Sequence, residues 1–600
     1  MKIQRTIKVI SMLILIAFAV SVSIAQETVG GIEITTKDTT GAVVPGVVIT
    51  VTSGADTAGY KRTVTTDGSG YARLTQMPPG GYILTAAPIS GFSETRTTAR
   101  VELGKSSQVT LEMGIKSSVE VVVTSGDTVV DTGSSEISTS VSSAKIESLP
   151  VAGNFTSLLK IVPGVRPEAL AGGFTIDGAS GAENTFVIDG QEVTNYRNAG
   201  LNSNNNVPFA LVQEFQVKSS GFNAEYGGAT GGVVNVVTKG GNNQFHGDIG
   251  IGFEPSKLQG GNRPGLNRFT SGSVSNTTYV ATNEYITAPK SQYLTTVPSV
   301  NLSGPILKNK VWFFASYSPT MFSQTVDSVY YSSAPSATRA VTGGERYTGK
   351  QRNEYSFGRI DASPFSKLRL TGTFLYNPLI QQGVIPYGTY AIGGTTSCVN
   401  FGGTIGSLCG NDLASRQGGF QSSKNVTGQA VYTPLSSIVA TFRYSRGFLN
   451  EKLGNYFKPS GTRYICTSGN AAGTTTFGSE ACTTGINDPA NDQTFKDVSV
   501  RTNYEGDMSF LFNAGGRHEL KGGYGHQAIY NDLLKNFTTR VYMQYGRPID
   551  NDFNWSNLAT PSAPICAVGQ VVGCVLGHGA LYRYGERGEG SNLNQALYVQ

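Results

Sequence analysis

The sequence is poor in charge, histidine and tryptophan. Asp, Glu, Lys and Arg make up only 14% of its 600 residues, against about 25% in an ordinary soluble domain. The net charge is +5, and no basic run follows the N-terminus, so nucleic-acid binding lacks electrostatic support. With four His, the chain has no His-Glu-x-x-His, Gly-x-Ser-x-Gly or Cys-x-x-Cys motif. We therefore predict no enzymatic activity, no metal or cofactor, and no nucleic-acid partner.

Long apolar runs are also missing after residue 25. Before it, Lys2, Arg5 and Lys8 precede the mostly apolar stretch Val9–Val22, and Ser23–Ala25 has a small-x-small pattern. This predicts a secretory signal peptide over residues 1–25, cleaved after Ala25. The alternative is an N-terminal membrane anchor, for which the apolar core is short. Because no later stretch could span a membrane as a helix, a membrane form would have to be a barrel.

What the chain has in quantity is glycine, with 75 residues, and Tyr and Phe, with 28 each. Such a turn-rich, aromatic composition favours a mainly β chain over a helical or disordered one. Lys367–Asn377, Ile438–Ser445 and Val498–Glu505 alternate apolar and polar residues, as outer-membrane strands do. A soluble sandwich with one wet face would alternate in the same way. A charge facing lipid costs about 2–4 kcal/mol, so we assign four cations to the lumen: Lys367, Arg369, Arg443 and Arg501.

Residues 242–600 contain about ten such strands, which predicts part of an antiparallel transmembrane β-barrel. The predicted strands are 244–253, 294–303, 310–320, 351–362, 367–377, 424–433, 437–448, 496–510, 517–530 and 591–600. Short links (304–309, 363–366, 434–436, 511–516) alternate with long ones (254–293, 321–350, 378–423, 449–495, 531–590). Short turns on one side and long loops on the other are typical of outer-membrane barrels.

The six cysteines fall in pairs within the last three long links. Although 15 pairings are formally possible, the simplest prediction is three local disulfides in an oxidising compartment. They are Cys398–Cys409, Cys466–Cys482 and Cys566–Cys574. A metal site is the alternative, but only His578 lies near a pair.

Residues 28–113 alternate short apolar runs with turns, which predicts a β-sandwich. The ordered motifs Pro45-Gly46-Val47, Asp67…Gly70-Tyr71, Pro79-Gly80 and Gly91-Phe92 resemble the carboxypeptidase-regulatory-like domain, whose fold is similar to carbohydrate-binding sandwiches. The resemblance implies no peptidase, since this stretch contains no His.

Residues 114–140 are a linker rich in Ser, Thr, Asp and Val. Its β-branched segment is either the last sandwich strand, a plain linker, or an extended segment that adds as a strand to a partner sheet. The segment consists of Val119, Glu120, Val121, Val122, Val123 and Thr124.

Residues 141–241 contain Pro163-Gly164-Val165, two Asp-Gly pairs at Asp177 and Asp189, Ala224–Gly227 and Gly231–Gly241. The Asp-Gly pairs suit tight turns. In this order the motifs resemble the plug domain of TonB-dependent outer-membrane transporters, and the added sandwich with Asn243–Gly247 resembles the Oar-like subgroup.

The resemblance implies a mixed α/β plug filling a barrel of about 22 strands. It also implies an outer-membrane location, with the sandwich and plug on the periplasmic side. It further implies import of a scarce or bulky ligand, gated by the plug and energised through the inner-membrane TonB complex, with the segment 119–124 as the TonB box. The ligand would be a carbohydrate, a siderophore or another molecule, touched outside by the loop after the second Asp-Gly turn. The candidate contacts are Asn195, Tyr196, Arg197 and Asn198.

About ten strands cannot enclose a plug, because barrel diameter grows with strand number. We therefore expect a longer natural protein whose barrel sits in outer-membrane lipid. The competing interpretation is a surface binding protein or adhesin that holds glycans or proteins.

Overall fold

The computed structural model describes most of the chain, and every structural statement below concerns the described residues. They are residues 28–54, 60–89, 91–114, 123–124, 136–148, 153–168, 173–195, 200–221, 230–271, 280–331, 340–383, 390–392, 398–401, 405–435, 437–450, 454–455, 463–468, 493–513, 516–536, 540–545, 547–548, 574–575, 578–582 and 585–599. The predicted signal peptide lies outside them.

The described residues from 28 to 114, here called the sandwich, form two packed sheets. Their strands are β1 (Gly30–Asp38), β2 (Val48–Ser53), β3 (Lys61–Thr65), β4 (Tyr71–Met77), β5 (Gly80–Ala86), β6 (Thr95–Val101) and β7 (Ser106–Met113). One sheet has the order β4-β1-β7; the other has the order β3-β2-β5-β6 and is extended at β6 by β8 (Val123–Thr124). Ile32, Ile49 and Leu84 are fully buried between the sheets, since alternate side chains of each strand face the partner sheet.

The described residues from 136 to 241, here called the plug-like domain, form a second core. Its strands are β9 (Ile137–Ser142), β10 (Val165–Pro167), β11 (Phe174–Ile176), β12 (Thr185–Ile188), β13 (Gln191–Glu192), β14 (Val212–Ser220) and β15 (Val233–Thr238). Its α-helices are Ser143–Ser148 and Thr156–Leu159, with 3-10 turns at Gly181–Glu183, Ser203–Asn205 and Phe209–Leu211. The main sheet has the order β13-β12-β15-β14-β9, and Phe155, Leu158 and Phe215 are fully buried against it.

Both Asp-Gly pairs make the predicted tight turns. Asp189 and Gly190 have φ of 48° and 77° and connect Ile188 to its partner Gln191 across a two-residue hairpin. Asp177 and Gly178 also have positive φ. Positive φ at both central residues is the type I′ geometry that Asp-Gly favours.

From residue 246 onward the chain is again mainly strands. In chain order they are β16 (His246–Pro255), β17 (Gly265–Ser271), β18 (Val280–Ile286), β19 (Gln292–Leu307), β20 (Val311–Tyr317), β21 (Thr320–Tyr331), β22 (Val341–Asn353), β23 (Ser356–Phe365), β24 (Leu368–Tyr376), β25 (Leu379–Gln382), β26 (Tyr390–Ile392), β27 (Cys398–Phe401), β28 (Ile405–Cys409), β29 (Gly418–Gln421), β30 (Ser423–Leu435), β31 (Ile438–Asn450), β32 (Gly454–Asn455), β33 (Arg463–Ser468), β34 (Gln493–Asn513), β35 (Arg517–Asn536), β36 (Arg540–Tyr545), β37 (Arg547–Pro548), β38 (Cys574–Val575), β39 (His578–Tyr582) and β40 (Gly585–Val599). The short helices are Ser256–Leu258 (3-10) and Gly410–Ala414 (α). No described helix is long and apolar enough to cross a membrane.

Ten of these strands form one antiparallel meander, here called the barrel sheet, and they coincide with the ten predicted strands. Its order is β16-β19-β20-β23-β24-β30-β31-β34-β35-β40. Within the described residues β16 and β40 do not pair with each other, so the barrel is partial and open. The prediction of a mainly β chain with part of a barrel is confirmed.

The faces of the barrel sheet follow the predicted alternation, with one exception. Arg369 and Arg443 point inward and are buried, whereas Leu370 and Phe442 point outward and are exposed. Lys367 does not face the lumen. It lies in the turn before β24, where its ammonium donates to the carbonyl of Pro434 at 2.8 Å.

The predicted long links are less loop-like than expected. Link 321–350 contains most of a hairpin, because β21 pairs with β22 over Thr320–Tyr331. The links 254–293, 378–423, 449–495 and 531–590 also contain short strands. These strands extend the sheet on the side of the long links, where both faces of a strand are polar and the alternation in the sequence is weak.

Candidate functional site

The plug-like domain lies against the inward face of the barrel sheet. On the lumen side of β23, the Arg359 guanidinium donates to the carbonyl of Thr238 at 2.7 Å and to the Asp361 carboxylate at 2.8 Å. Arg369 also binds Asp361, at 3.0 Å. The plug-like domain is therefore held at the end of β15 by a buried cluster of barrel charges.

Asp189 belongs to the same region but titrates differently. Its carboxylate accepts the amide N–H of Thr238 at 2.9 Å and the Thr238 hydroxyl at 2.8 Å. Burial raises the pKa of Asp189 above its usual range, although the nearby Arg359 and the two hydrogen bonds oppose this shift. The second Asp-Gly turn is thus fastened to the last strand of the plug sheet.

Further out along the barrel, polar side chains connect the two units again. Arg501 lies 3.2 Å from the Glu192 carboxylate, to which Gln527 also donates, at 3.0 Å. Gln191 donates to Asn425 at 2.9 Å. These contacts fill the lumen with hydrogen-bonded groups rather than apolar packing, and such contacts can be exchanged for water at modest cost.

The other face of the plug sheet carries a polar row on β14. Glu214, Gln216 and Lys218 alternate with the core residues Phe215 and Val217, and all five are at most 2% exposed. Period-two alternation of this kind usually predicts a solvated face. Here the row is covered, and sequence reasoning missed it because a strand pattern does not show what packs against it.

The sandwich covers part of this row. The backbone N–H of Leu103, in the β6–β7 turn, donates to Glu214 Oε1 at 2.7 Å, and Gln216 Nε2 donates to the Leu103 carbonyl at 2.6 Å. Leu103 is fully buried. We call this arrangement the Leu103 clasp; it binds one peptide unit of the sandwich between two side chains of the plug sheet.

Glu214 is the titratable group of the clasp. Burial raises its pKa from 4.5 to about 7, and the amide of Leu103, Arg100 and Lys105 only partly offset this while Glu102 adds to it. Its second oxygen, Oε2, is buried and has no hydrogen-bond partner among the described residues. Docking of the sandwich therefore includes a carboxyl group that binds a proton easily near neutral pH.

The end of the polar row holds a buried ion pair. Lys218 Nζ lies 2.7 Å from Glu136 Oε2, and the two side chains are 0% and 3% exposed. Glu136 directly precedes β9, the edge strand of the plug sheet, which pairs with β14 through Ser138↔Lys218 and its neighbours. The pair thus fixes the point where the linker enters the plug sheet.

The predicted TonB box is described only at its end. Val123 and Thr124 form β8, which pairs in parallel with Thr97 and Thr98 of β6. Residues 119–122 lie outside the described part of the chain.

Among the predicted ligand contacts, Asn195 is described, and its amide donates to the Gly200 carbonyl at 2.9 Å; Tyr196, Arg197 and Asn198 lie outside. This loop continues to Asn204, which donates to the carbonyl of Asn377 at 2.8 Å. Asn377 follows β24 at the end opposite the short turn Phe365–Leu368, so the loop reaches the side of the long links.

The backbone places one predicted disulfide pair in register, since Cys398 lies opposite Cys409 in the β27–β28 hairpin. Cys482 and Cys566 lie outside the described residues, so all three bridges stay predictions. No group of three or more His, Cys, Asp or Glu able to hold a metal occurs in the described ranges.

Two family models match the chain. Residues 31–114 match the carboxypeptidase regulatory-like domain, and residues 131–233 match the TonB-dependent receptor plug domain. A curated relative, the TonB-dependent transporter Oar of Myxococcus xanthus, is 28% identical over 286 residues, which cover 46% of this chain and 25% of the relative. Both resemblances drawn from the sequence are confirmed.

Solved structures with similar folds include two outer-membrane proteins. The outer membrane transporter YddB from Escherichia coli is 13% identical, with a TM-score of 0.44, over 77% of this chain and 54% of that one. The siderophore receptor PirA from Acinetobacter baumannii is 12% identical, with a TM-score of 0.41, over 67% and 48%. The chain thus spans about half the length of these structures. The comparisons give no support to the adhesin interpretation.

Proposed function

We propose that this chain is part of a TonB-dependent outer-membrane transporter that imports a ligand through a plugged barrel. The observation that supports this most is the position of the plug-like domain, held inside the barrel sheet by Arg359, Arg501 and Asn425. The matched plug model supports the same assignment. A transporter of this kind is not an enzyme, and its energy would come through TonB.

The orientation follows from the links of the barrel sheet. The sandwich lies at the end with the short turns, since Arg62 donates to Thr433 and Arg73 pairs with Glu519, each at 2.8 Å. Short turns face the periplasm in outer-membrane barrels. The sandwich is therefore periplasmic, and the loop after Asn195 approaches the outer side, where ligand would bind.

The path of force is set by the chain order. TonB would bind residues 119–124 by strand addition, and a pull there would act on Glu136 and then on β9. Because β9 is an edge strand paired on one side only, it would separate from β14 before the central strands of the plug sheet. Polar contacts in the lumen would then be exchanged for water as a path opens.

The TonB box assignment is tested by deleting residues 119–124 from the full-length protein. We expect loss of binding to the purified periplasmic domain of TonB, measured with the protein in nanodiscs by biolayer interferometry. Deleting residues 126–131 shortens the same linker by an equal six residues and should leave binding intact. Unchanged binding after the first deletion would show that TonB grips another segment.

The plug assignment is tested by conductance in planar lipid bilayers. The full-length protein should be closed, and replacing residues 141–241 by a short flexible linker should create an open, ion-conducting pore. Removing the sandwich, residues 28–113, is the control and should leave the lumen filled. If both truncated proteins are silent, the lumen of this barrel is not a transport path and the proposed function is wrong.

A further inference from the structure

A cavity of about 940 Å³ lies between the sandwich and the short-turn end of the barrel sheet. Its sandwich wall is formed by residues around β3 and β4, and its barrel wall by the turns Asn309–Lys310, Ser363–Leu368 and Thr433–Leu435. Arg62 crosses between the walls, since it donates to Thr433 and lies over the Tyr60 ring, 5.4 Å from its centroid. Neither wall alone would enclose this space.

The lining of this cavity carries cations and no carboxylates. Of its six cationic residues, Arg73 pairs with glutamates and Arg369 with Asp361. The remaining four form no ion pair in the described part of the chain; they are Lys61, Arg62, Lys310 and Lys367. Like charges gathered without counter-charges repel one another, so this arrangement favours an anion.

A hydrogen-bond donor points to the same conclusion. Tyr60 lines the cavity, is only 6% exposed, and its hydroxyl has no hydrogen-bond partner among the described residues. A buried polar group without a partner is costly. An oxygen-rich anion next to Lys61 and Arg62 would supply the missing acceptor.

The remaining wall is apolar and faces outward. Phe365 and Leu435 line the cavity and are 51% and 58% exposed. They continue into the outward face of the barrel sheet, where Leu370 and Tyr432 are also exposed. A ligand there would need a charged head and an apolar tail, which favours a lipid over a free ion or a glycan.

We infer that this cavity binds the phosphate headgroup of an anionic phospholipid from the periplasmic leaflet, with its acyl chains along Phe365 and Leu435. This inference rests on the proposed function, because the outward face must meet lipid. The bound lipid would join the sandwich to the barrel rim, since Lys61 and Arg62 belong to one and Lys310 and Lys367 to the other.

The test uses the full-length protein in mild detergent, with short-chain phosphatidylglycerol, glycerol 3-phosphate and inorganic phosphate as probes for calorimetry. We expect one saturable site for phosphatidylglycerol, with at least tenfold weaker binding of the other two. In the triple variant Lys61→Gln/Lys310→Gln/Lys367→Gln, affinity for the lipid should fall at least tenfold. Tyr60→Phe removes only the hydroxyl and should weaken lipid binding severalfold.

The control variant Lys37→Gln/Lys145→Gln/Lys160→Gln removes the same charge outside the cavity lining and should bind lipid as the wild type does. Equal affinity in the two triple variants would overturn the inference, and so would inorganic phosphate binding as tightly as the lipid. Measuring TonB binding on the same samples separates the proposals. If TonB binds and the lipid does not, only the lipid site is wrong.

Discussion

Replacing Lys218 by methionine is expected to release strand β9 from the plug sheet. The substitution leaves the Glu136 carboxylate buried without the ammonium group that lies 2.7 Å away. Removing one partner of a buried pair costs about 3–5 kcal/mol, because the other charge stays desolvated. An edge strand of six residues, Ile137–Ser142, should open locally under such a penalty. Hydrogen exchange of a peptide covering β9, followed by mass spectrometry, measures the loss of protection.

The double variant Glu136→Gln/Lys218→Met provides the control. It removes both charges, so the desolvation cost disappears and most of the protection of β9 should return. Protection in Lys218→Met equal to that of the wild type would show that the ion pair does not hold the edge strand. If the double variant is as unprotected as the single one, the pair acts through shape rather than charge.

The same variant bears on the proposed mechanism, because Glu136 is where a pull from the linker reaches the plug sheet. A ligand-independent release of β9 would lengthen the segment available to TonB. The buried pair is therefore best understood as a fastening of the plug-like domain at its point of entry.

The barrel sheet was the easiest part of this molecule to predict. Alternation over Ile438–Ser445 and Val498–Glu505 reports directly which side chains meet lipid, because an outward Arg443 or Arg501 would be costly. The Asp-Gly turns were also predictable, since positive φ at Asp177 and Asp189 is a local requirement.

Features that depend on contacts between units could not be predicted. Glu214, Gln216 and Lys218 alternate as a solvated face would, and only the docked sandwich and the Glu136 segment bury them. The hairpin β21–β22 was missed because its polar strands are held by pairing with each other. The placement of Lys367 failed for a related reason: the alternation is local, whereas the turn that removes Lys367 from the lumen depends on Pro434.

Replacing Glu214 by glutamine is expected to remove a pH dependence from the docking of the sandwich. Burial raises the pKa of Glu214 from 4.5 to about 7, so the docked state binds a proton more tightly than the undocked, solvated state. Docking is therefore strongest below about pH 4.5 and weakens as pH rises through about 7. The shift corresponds to ~3 kcal/mol at pH 8. Glutamine keeps an acceptor for the Leu103 amide but carries no charge, so docking at pH 8 should be tighter than in the wild type by a similar amount.

Hydrogen exchange of a peptide covering Leu103 and Gly104, corrected for intrinsic rates between pH 5.5 and 8, measures this docking. Glu102→Gln is the matched control, because it removes a neighbouring carboxylate that pairs with Lys105 at 2.9 Å and makes no contact with Gln216 in the clasp. The wild type and Glu102→Gln should lose protection as pH rises, whereas Glu214→Gln should not. A wild-type protein whose protection does not change with pH would mean that Glu214 is ionised in the docked state. The Leu103 clasp would then depend on a charge-assisted hydrogen bond, and Glu214→Gln should weaken docking instead of strengthening it.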